Sequence, residues 1–266
     1  MDFQNQNILI TGATGNIGQK ISIDFAKFKP KLLILTGKTL EKLKKIQMEI
    51  TSTYPNVNVS IFPCNMLQIS EIEKLIHFII TQSHQMLNIF VGCHGIHGKK
   101  KLKITETESN EYLSNFDEVM QINLHSYIYL INNLVRIMPK KSSICFITGI
   151  FGKIHMNQGI PLTVSKASLE MFSKCSALDL GQKNIRINTV SPGIINPEFL
   201  SEEFSTQEEL NNSMKTIKKK LPLKKLPTPE MISNSVLYLC STNCEGITGQ
   251  EIVIDGGLSL LPGNET

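Results

Sequence analysis

The chain has 266 residues, of which 41% are hydrophobic and 19% charged. This composition is sufficient for one large core and excludes an intrinsically disordered chain. The net charge of +4 comes mainly from two lysine clusters, at Lys99 to Lys103 and at Lys218 to Lys225. Because aromatic residues are not interleaved with these lysines, we expect no nucleic-acid partner, and an acidic or phosphorylated ligand matches the charge better.

The cysteines and the first residues indicate where the protein works. The six cysteines form no CxxC pair, and most lie in apolar segments, which is typical of reduced, buried thiols. The N-terminal residues enter an apolar strand at Ile8 to Ile10 without a preceding basic or cleavable hydrophobic segment. No apolar run approaches the ~18 residues that cross a bilayer. We therefore expect a cytoplasmic protein with no membrane partner.

Short aliphatic runs alternate with longer segments of helical period along the chain. The predicted strands are Asn7 to Thr11, Lys31 to Thr36, Val57 to Pro63, Leu87 to Gly92, Ser143 to Thr148, Ile185 to Val190 and Glu251 to Ile254. The predicted helices are Gln19 to Lys27, Thr39 to Thr53, Ile69 to His84, Asn110 to Met138, Leu162 to Gly181 and Pro229 to Leu239. This βαβ alternation predicts a parallel sheet of seven strands covered by helices on both faces. Without a Pro/Gly/Ser-rich linker or an internal repeat, we expect residues 1–266 to form one domain.

The first predicted strand leads directly into the glycine-rich turn Thr11-Gly12-Ala13-Thr14-Gly15-Asn16-Ile17-Gly18. Glycines at such a strand–turn–helix junction permit a sharp turn, and the N–H groups at the start of the helix can receive a pyrophosphate. A tight loop without a ligand is the alternative. The position of the turn in the first βαβ unit favours a dinucleotide site.

Five motifs along the chain occur in the order found in one enzyme family. They are the turn Thr11 to Gly18, the strand end Ile89 to Gly95, Asn123 within Val119 to Leu124, Ser165-Lys166-Ala167, and Ser191-Pro192-Gly193, followed by Leu221 to Glu230 and Ile247 to Gly257. With these motifs the chain resembles the short-chain dehydrogenase/reductase family, particularly its 3-oxoacyl-carrier-protein-reductase-like branch, over nearly its whole length. The resemblance implies an α/β fold of the Rossmann type, doubly wound, with an NAD(P)-binding site and oxidoreductase activity on a carbonyl/alcohol pair.

The resemblance also implies a set of cofactor-binding residues. They are Gly12, Thr14, Gly15, Asn16, Ile17, Gly18, Lys38, Asn65, Met66, Gly95, Lys166, Pro192, Gly193 and Ile195. The turn reads TGxxGxxG where the family has TGxxxGxG, so Asn16 stands at a usual glycine, and we expect it to tolerate a left-handed backbone with modest strain. Lys38 follows the second predicted strand, where an acid would select NAD; a cation there favours NADP(H) over NAD(H). Asn65 would hydrogen-bond the adenine. No metal site is predicted.

The catalytic residues of the family are only partly retained. The family places a tyrosine four residues before the lysine and a serine thirteen residues before the tyrosine. Counted back from Lys166, these positions hold Leu162 and Gly149. Since neither side chain can donate a proton to a developing oxyanion, we expect classical catalysis to be weak or absent. Lys166 would keep its role on the nicotinamide ribose, and Asn123 would keep a water-positioning role, although a buried, hydrogen-bonded amide is an alternative for Asn123.

Two histidines are candidates for a substitute proton donor, because histidine titrates near neutral pH. His94 should lie near the cofactor, and His155 lies on the loop that borders the substrate pocket; for each, a polar residue with satisfied hydrogen bonds is the commoner role. Two functions thus remain open, an unconventional oxidoreductase on a small carbonyl substrate or a non-catalytic cofactor-binding protein, including an inactive partner subunit. The resemblance implies a homo-oligomer, a dimer or tetramer, that pairs through the two long helices. The polar segment from Pro197 to Leu226 would cap the pocket.

Overall fold

The computed structural model describes residues 2–99, 102–154, 159–195 and 206–261. Its strands are β1 (Asn7–Thr11), β2 (Leu32–Gly37), β3 (Val59–Pro63), β4 (Ile89–Gly92), β5 (Ser143–Ile147), β6 (Arg186–Pro192) and β7 (Glu251–Ile254). All neighbouring strands are parallel, in the order β3-β2-β1-β4-β5-β6-β7. The predicted seven-stranded parallel sheet is confirmed.

Helices connect the strands. They are α1 (Asn16–Ala26), α2 (Leu40–Thr53), α3 (Ile69–Gln82), α4 (Ser109–Met120), α5 (Ser126–Leu134), α6 (Ile160–Gly181), α7 (Gln207–Lys220) and α8 (Pro229–Cys240). The single long helix predicted for Asn110 to Met138 is interrupted, because a π-helical turn (Gln121–His125) separates α4 from α5 and a 3₁₀ turn (Val135–Ile137) follows α5. Hydrophobic periodicity does not report a one-residue change in hydrogen-bond spacing.

Both faces of the sheet are covered because successive side chains of a strand point to opposite sides. In β1, Ile8 and Ile10 pack with buried side chains of α1, α2 and α8, whereas Leu9 belongs to a second cluster formed with α3, α5 and α6. All five residues of β1 are buried. A strand with two apolar faces explains why each aliphatic run in the sequence was continuous rather than alternating.

Helix α7 was not predicted; it lies in the polar segment expected to cap the pocket. Only Leu210 and Met214 of this helix are buried, so its apolar stripe is narrow. A start signal was nevertheless present: Thr206 and Glu209 are spaced as in a capping box, and the Thr206 hydroxyl oxygen accepts a hydrogen bond from Glu209 N at 3.2 Å. The side chains of Leu210 and Met214, together with Leu221, cover a third apolar cluster at the carboxyl edge of the sheet. This cluster includes Leu162.

The carboxyl ends of β1 and β4 form the point at which the chain reverses its direction of winding. The strands β2 and β3 extend the sheet to one side of β1, and β4 to β7 extend it to the other. The connections after β1 and β4 therefore leave toward opposite sides and open a crevice between them. Ligands of doubly wound folds bind at this location.

The opposite edge of the sheet is stabilised by Arg186, the first residue of β6. Its side chain is buried and donates hydrogen bonds to Leu239 O at 2.7 Å and to Ser241 O at 3.0 Å, the residues that end α8. The guanidinium thereby satisfies carbonyl groups at the C-terminus of a helix, which have no intrahelical donor.

We predict that Arg186→Met lowers the free energy of unfolding by about 3 kcal/mol, because it leaves buried carbonyl groups without a donor. Urea unfolding followed by circular dichroism measures the change. The same substitution at the other arginine of the chain, the exposed Arg136, is the control and should change stability by less than about 0.5 kcal/mol. Equal effects at both positions would contradict the structural role of Arg186.

Candidate active site

A cavity of about 450 Å³ opens at the carboxyl ends of β1, β4, β5 and β6. The predicted cofactor residues that line it are Gly12, Gly15, Asn16, Ile17, Gly18, Gly95, Lys166, Pro192, Gly193 and Ile195. Gly149 and Leu162 line the same cavity. Residues separated by up to 183 positions in sequence are thus brought to one crevice by the strand order.

The glycine-rich turn is built around Gly12. This residue has a left-handed backbone (φ 66°), and a Cβ atom placed on it would lie 2.6 Å from His94 N. A Cβ on Gly18 would collide with the carbonyl oxygen of Gly12. Only glycine allows the turn to pack this closely against the end of β4 and the first turn of α1. The shape is a cradle into which a pyrophosphate fits.

Asn16 does not need the strained backbone expected from the sequence. It is the first residue of α1, and Gly15, with φ −83° and ψ 161°, is the N-cap. Among the described residues, no side chain caps this helix. Gly15, Asn16 and Ile17 line the cavity, so the positive end of the helix dipole faces it. The expectation of a left-handed Asn16 was wrong because the shifted glycine, Gly15, takes the position that precedes the helix.

Lys166 projects from α6 into the cavity. Its Nζ donates a hydrogen bond to Ile147 O at 3.1 Å, at the end of β5. Burial lowers the pKa of Lys166 to about 8. Around neutral pH the side chain therefore remains largely protonated, and it places a positive charge in a crevice whose other walls are mostly apolar or backbone.

Gly149 and Leu162 approach Lys166 from two elements. Leu162 lies one helical turn before Lys166 on α6 and is 5% exposed, packed in the cluster that α7 covers. Gly149 follows β5 with φ 150°, a backbone that residues with a Cβ rarely adopt. The nearby Thr148 hydroxyl lies 3.2 Å from Val190 O and 3.3 Å from Glu251 Oε1, so its proton is directed to protein acceptors.

Comparisons with known proteins agree with this architecture. A family model described as enoyl-(acyl carrier protein) reductase matches residues 12–259. The chain belongs to the short-chain dehydrogenase/reductase family. It is 30% identical over 264 residues to the 3-oxoacyl-[acyl-carrier-protein] reductase FabG of Rickettsia bellii, covering 98% of this chain and 100% of that protein. Its likeness to the 3-oxoacyl-carrier-protein-reductase branch is confirmed.

Solved structures show the same fold. Levodione reductase superposes with a TM-score of 0.88 at 20% identity, covering 98% of this chain and 100% of the other. An NADPH-bound short chain oxidoreductase from Pseudomonas aeruginosa PAO1, described as containing an atypical catalytic center, superposes with a TM-score of 0.85 at 16% identity, covering 98% and 99%. At these identities the similarity establishes the fold, and it confirms the Rossmann-type architecture.

The family landmark Asn123 lies in the π-helical turn and is fully buried. Its amide forms two hydrogen bonds to the backbone of Ile96: Oδ1 accepts from Ile96 N and Nδ2 donates to Ile96 O, both at 2.8 Å. Nδ2 also donates to the Ser165 hydroxyl at 3.0 Å. This geometry matches the hydrogen-bonded amide that the sequence analysis gave as the alternative; a water-positioning role stays a prediction.

Four predicted cofactor residues lie outside the cavity lining: Thr14, Lys38, Asn65 and Met66. Thr14 lies against the end of β2, since a Cβ on Gly37 would come within 2.8 Å of its hydroxyl oxygen. Lys38 is exposed immediately beyond this point. Cys64 N donates to Gly37 O at 3.0 Å, which brings the segment with Asn65 and Met66 beside Lys38. These four residues therefore lie near one another at the carboxyl end of β2, outside the cavity lining; their contact with a cofactor stays a prediction.

Of the two roles considered for His94, the structure matches that of a polar residue with satisfied hydrogen bonds. His94 does not line the cavity; both of its ring nitrogens are hydrogen-bonded inside the protein, and burial lowers its pKa to about 3. The structure therefore does not support His94 as a proton donor to a ligand. His155 lies outside the described residues. His97, which the sequence analysis missed, lines the cavity; its position two residues after Gly95 was the available signal.

No helix within the described ranges is both long and apolar enough to cross a bilayer.

Proposed function

We propose that this protein binds a nicotinamide dinucleotide, NADP(H) in preference to NAD(H), and that its turnover of carbonyl substrates by the usual route of the family is weak or absent. One observation carries the proposal: a preformed glycine cradle and Lys166 share a cavity with Leu162 and Gly149. The cradle fits a dinucleotide. The two positions from which the family supplies its hydroxyl groups hold side chains that donate no proton.

The chemical consequence follows from charge. A bound nicotinamide supplies or accepts a hydride, and reduction of a carbonyl group leaves negative charge on its oxygen. A positioned general acid is worth roughly 10²- to 10⁴-fold in rate, and a donor to an oxyanion about 10²- to 10³-fold. Leu162 and Gly149 offer neither. Lys166 can still hold ribose hydroxyl groups and contribute positive charge.

A non-catalytic role is the second candidate, and the packing of Leu162 favours it. This side chain belongs to the apolar cluster that also contains Phe151, Ile194, Leu210 and Met214. The place of a polar catalytic group is thus part of a hydrophobic core beneath α7. Such a protein would sense the cofactor or serve as the inactive subunit of a mixed oligomer. Saturable cofactor binding with no turnover across a panel of carbonyl compounds would favour this role over an unconventional oxidoreductase.

The NADP(H) preference rests on Lys38. This exposed lysine stands at the carboxyl end of β2, where a carboxylate would accept hydrogen bonds from the ribose hydroxyl groups and repel a 2′-phosphate. An ammonium group instead attracts the 2′-phosphate.

We predict that Lys38→Glu weakens NADPH binding by about tenfold, because a charge-assisted contact to the 2′-phosphate becomes a repulsion. NADH binding should change less. Calorimetric titration measures both dissociation constants. Lys31→Glu is the matched control, since Lys31 is exposed just before β2 at the opposite edge of the sheet. Equal affinity of the native chain for NADPH and NADH would contradict the preference, and the lack of binding by either would sink the proposed function.

We predict that Leu162→Tyr raises the rate of carbonyl reduction by at least about 10²-fold, because it places a phenol one turn before Lys166 on α6. The assay follows the loss of absorbance of the reduced cofactor. Leu162→Phe is the control, since it adds the ring without the hydroxyl group. Activity that rises equally in both variants, or fast ketone reduction by the native chain, would contradict the proposed defect.

Unlike Leu162→Tyr, Gly149→Ser should lower the stability of the protein because of the backbone at this position. The added Cβ meets no atom closer than 3.9 Å, but the backbone φ of 150° disfavours any residue with a Cβ. We therefore expect this change to cost about 1 to 3 kcal/mol of stability. Adding it to Leu162→Tyr tests whether the segment can relax.

A homo-oligomer is supported by an exposed apolar stripe on α6. Val164, Met171 and Leu178 recur at seven-residue spacing and are 36%, 58% and 76% exposed. Leu113 is also exposed, on α4, which packs against α6. Surfaces of this kind are typical of protein interfaces. The six free cysteines agree with the proposed cytoplasmic location.

We predict that light scattering gives the native protein a mass of two or four times 29.8 kDa. The double variant Met171→Glu and Leu178→Glu should have the mass of a single chain, because charge on the stripe opposes its burial. Met48→Glu, at an exposed apolar residue of α2, is the control and should leave the mass unchanged. A native chain of single-chain mass would contradict the oligomer.

A further inference from the structure

His94 is enclosed between the glycine-rich turn and the junction of the π-helical turn with α5. It is 8% exposed. Its Nδ1 lies 2.7 Å from the Thr11 hydroxyl oxygen, and its Nε2 lies 2.8 Å from the Ser126 hydroxyl oxygen. The imidazole stacks on the ring of Tyr127, with centroids 3.9 Å apart and planes within 10°. The Tyr127 hydroxyl group donates to His94 O at 2.6 Å.

These contacts fix the protonation of the ring. The Ser126 hydroxyl lies 2.6 Å from Ile122 O, and a carbonyl oxygen only accepts, so the single hydroxyl proton of Ser126 is used there. Nε2 must then donate to Ser126. A neutral imidazole carries one N–H, so Nδ1 is bare and accepts the proton of Thr11. The bonds run in one direction, from Thr11 through His94 and Ser126 to Ile122.

This series of hydrogen bonds begins at the glycine-rich turn and ends at the π-helical turn, the two segments that it connects in the candidate site. Thr11 precedes Gly12, whose turn packs against the backbone of His94. Ile122 precedes Asn123 in the π-helical turn, and Asn123 holds Ile96, the second residue after His94, by two hydrogen bonds. Cavity-lining residues Gly12, Gly95 and Ile96 therefore depend on one buried ring for their relative placement.

We propose that His94, as the neutral Nε2–H form, is a positioning residue that holds the glycine-rich turn and the π-helical turn in register so that the dinucleotide site is formed before ligand binds. This inference rests on the proposed function, because it assigns His94 a part in cofactor binding. His94 is not among the residues that line the cavity; it acts through Thr11 and Ser126.

The surroundings keep the ring neutral. Burial, together with the positive charge of Lys166 on α6, lowers the pKa of His94 from 6.5 to about 3. Cys93 precedes it in the chain, and Tyr127 on α5 covers its face; the pKa values of both groups are raised, so neither carries a negative charge that would favour imidazolium. Stability from the neutral ring is fully present above pH 6.5 and is lost as the pH falls toward 3.

The first measurement is the ¹⁵N spectrum of the histidine rings, in which protonated and bare nitrogens are distinct. We expect His94 to show a protonated Nε2 and a bare Nδ1, unchanged between about pH 8 and 5, because its pKa lies far below this range. The exposed His77 supplies a reference ring signal in the same spectrum. A His94 ring that changes its protonation between about pH 8 and 5, or that shows a protonated Nδ1, would overturn the proposal.

The second measurement is NADPH titration of Ser126→Ala, a change outside the cavity lining. Losing the two buried hydrogen bonds of the Ser126 hydroxyl group, to His94 Nε2 and to Ile122 O, should raise the dissociation constant by about fivefold. In a His94→Phe background, which keeps a ring on Tyr127 but no ring nitrogen, Ser126→Ala should have no further effect. His77→Ala should bind as the native chain does.

The outcomes separate the two proposals. If the native chain binds no dinucleotide, the proposed function fails. If it binds, and Ser126→Ala lowers the melting temperature but leaves the dissociation constant unchanged, His94 is only a stabilising residue and the positioning role is wrong. Should His94→Phe fail to fold, Ser126→Ala and the ring spectrum still decide the question.

Discussion

The close approach of Gly12 to the end of β4 is the constraint on which the candidate site depends. A Cβ atom at position 12 would lie within 2.7 Å of three backbone atoms of Cys93 and His94. This contact joins the first βαβ unit to the second half of the sheet at the point where the winding reverses. Every other part of the cavity is placed relative to it: α1 starts from the turn, and the segment after β4 carries Gly95 and Ile96 into the wall.

The electrostatics of the crevice follow from what surrounds this contact. The N-terminus of α1 and the ammonium group of Lys166 both direct positive potential into the cavity. Both favour a phosphate-bearing ligand that also presents ribose hydroxyl groups. Glu170 and Glu251 are paired with Lys153, and the Asp255 carboxylate next to Gly193 accepts hydrogen bonds from Gly257 N and Ser259 N. The field is therefore suited to binding a dinucleotide whether or not chemistry follows.

Much of the fold could be predicted from the sequence, because buried parallel strands and amphipathic helices leave strong patterns. The bounds of β1 and β7 were predicted to the residue, and α3 began at the predicted Ile69. The narrow apolar stripe of α7 was masked by its lysines and glutamates. The π-helical turn at Gln121–His125 was missed because it inserts one residue into a helix without changing its composition.

The site was predictable to the extent that it consists of backbone geometry. Gly12, Gly15 and Gly18 were identified from their spacing after β1, and at Gly12 and Gly18 a Cβ atom would collide with backbone atoms. Side-chain roles were harder: His94 was considered as a proton donor near the cofactor, yet the direction of its ring is decided by Thr11 and Ser126, which come from two other elements. Contacts between distant segments of this kind leave no periodic signal in one sequence.

The apolar side chain of Leu162 fits the packing around it. A tyrosine hydroxyl group directed into the cavity needs water or a ligand as a partner, since a buried phenol without one loses its hydrogen bonds. Leu162 needs none, and it packs with Met214 and Leu221. Gly149 has a φ of 150°, a backbone that serine would resist. Because each residue fits its own surroundings, adding a hydroxyl group at position 162 alone is a test of chemistry, whereas adding one at both positions is also a test of how far the β5–α6 connection can move.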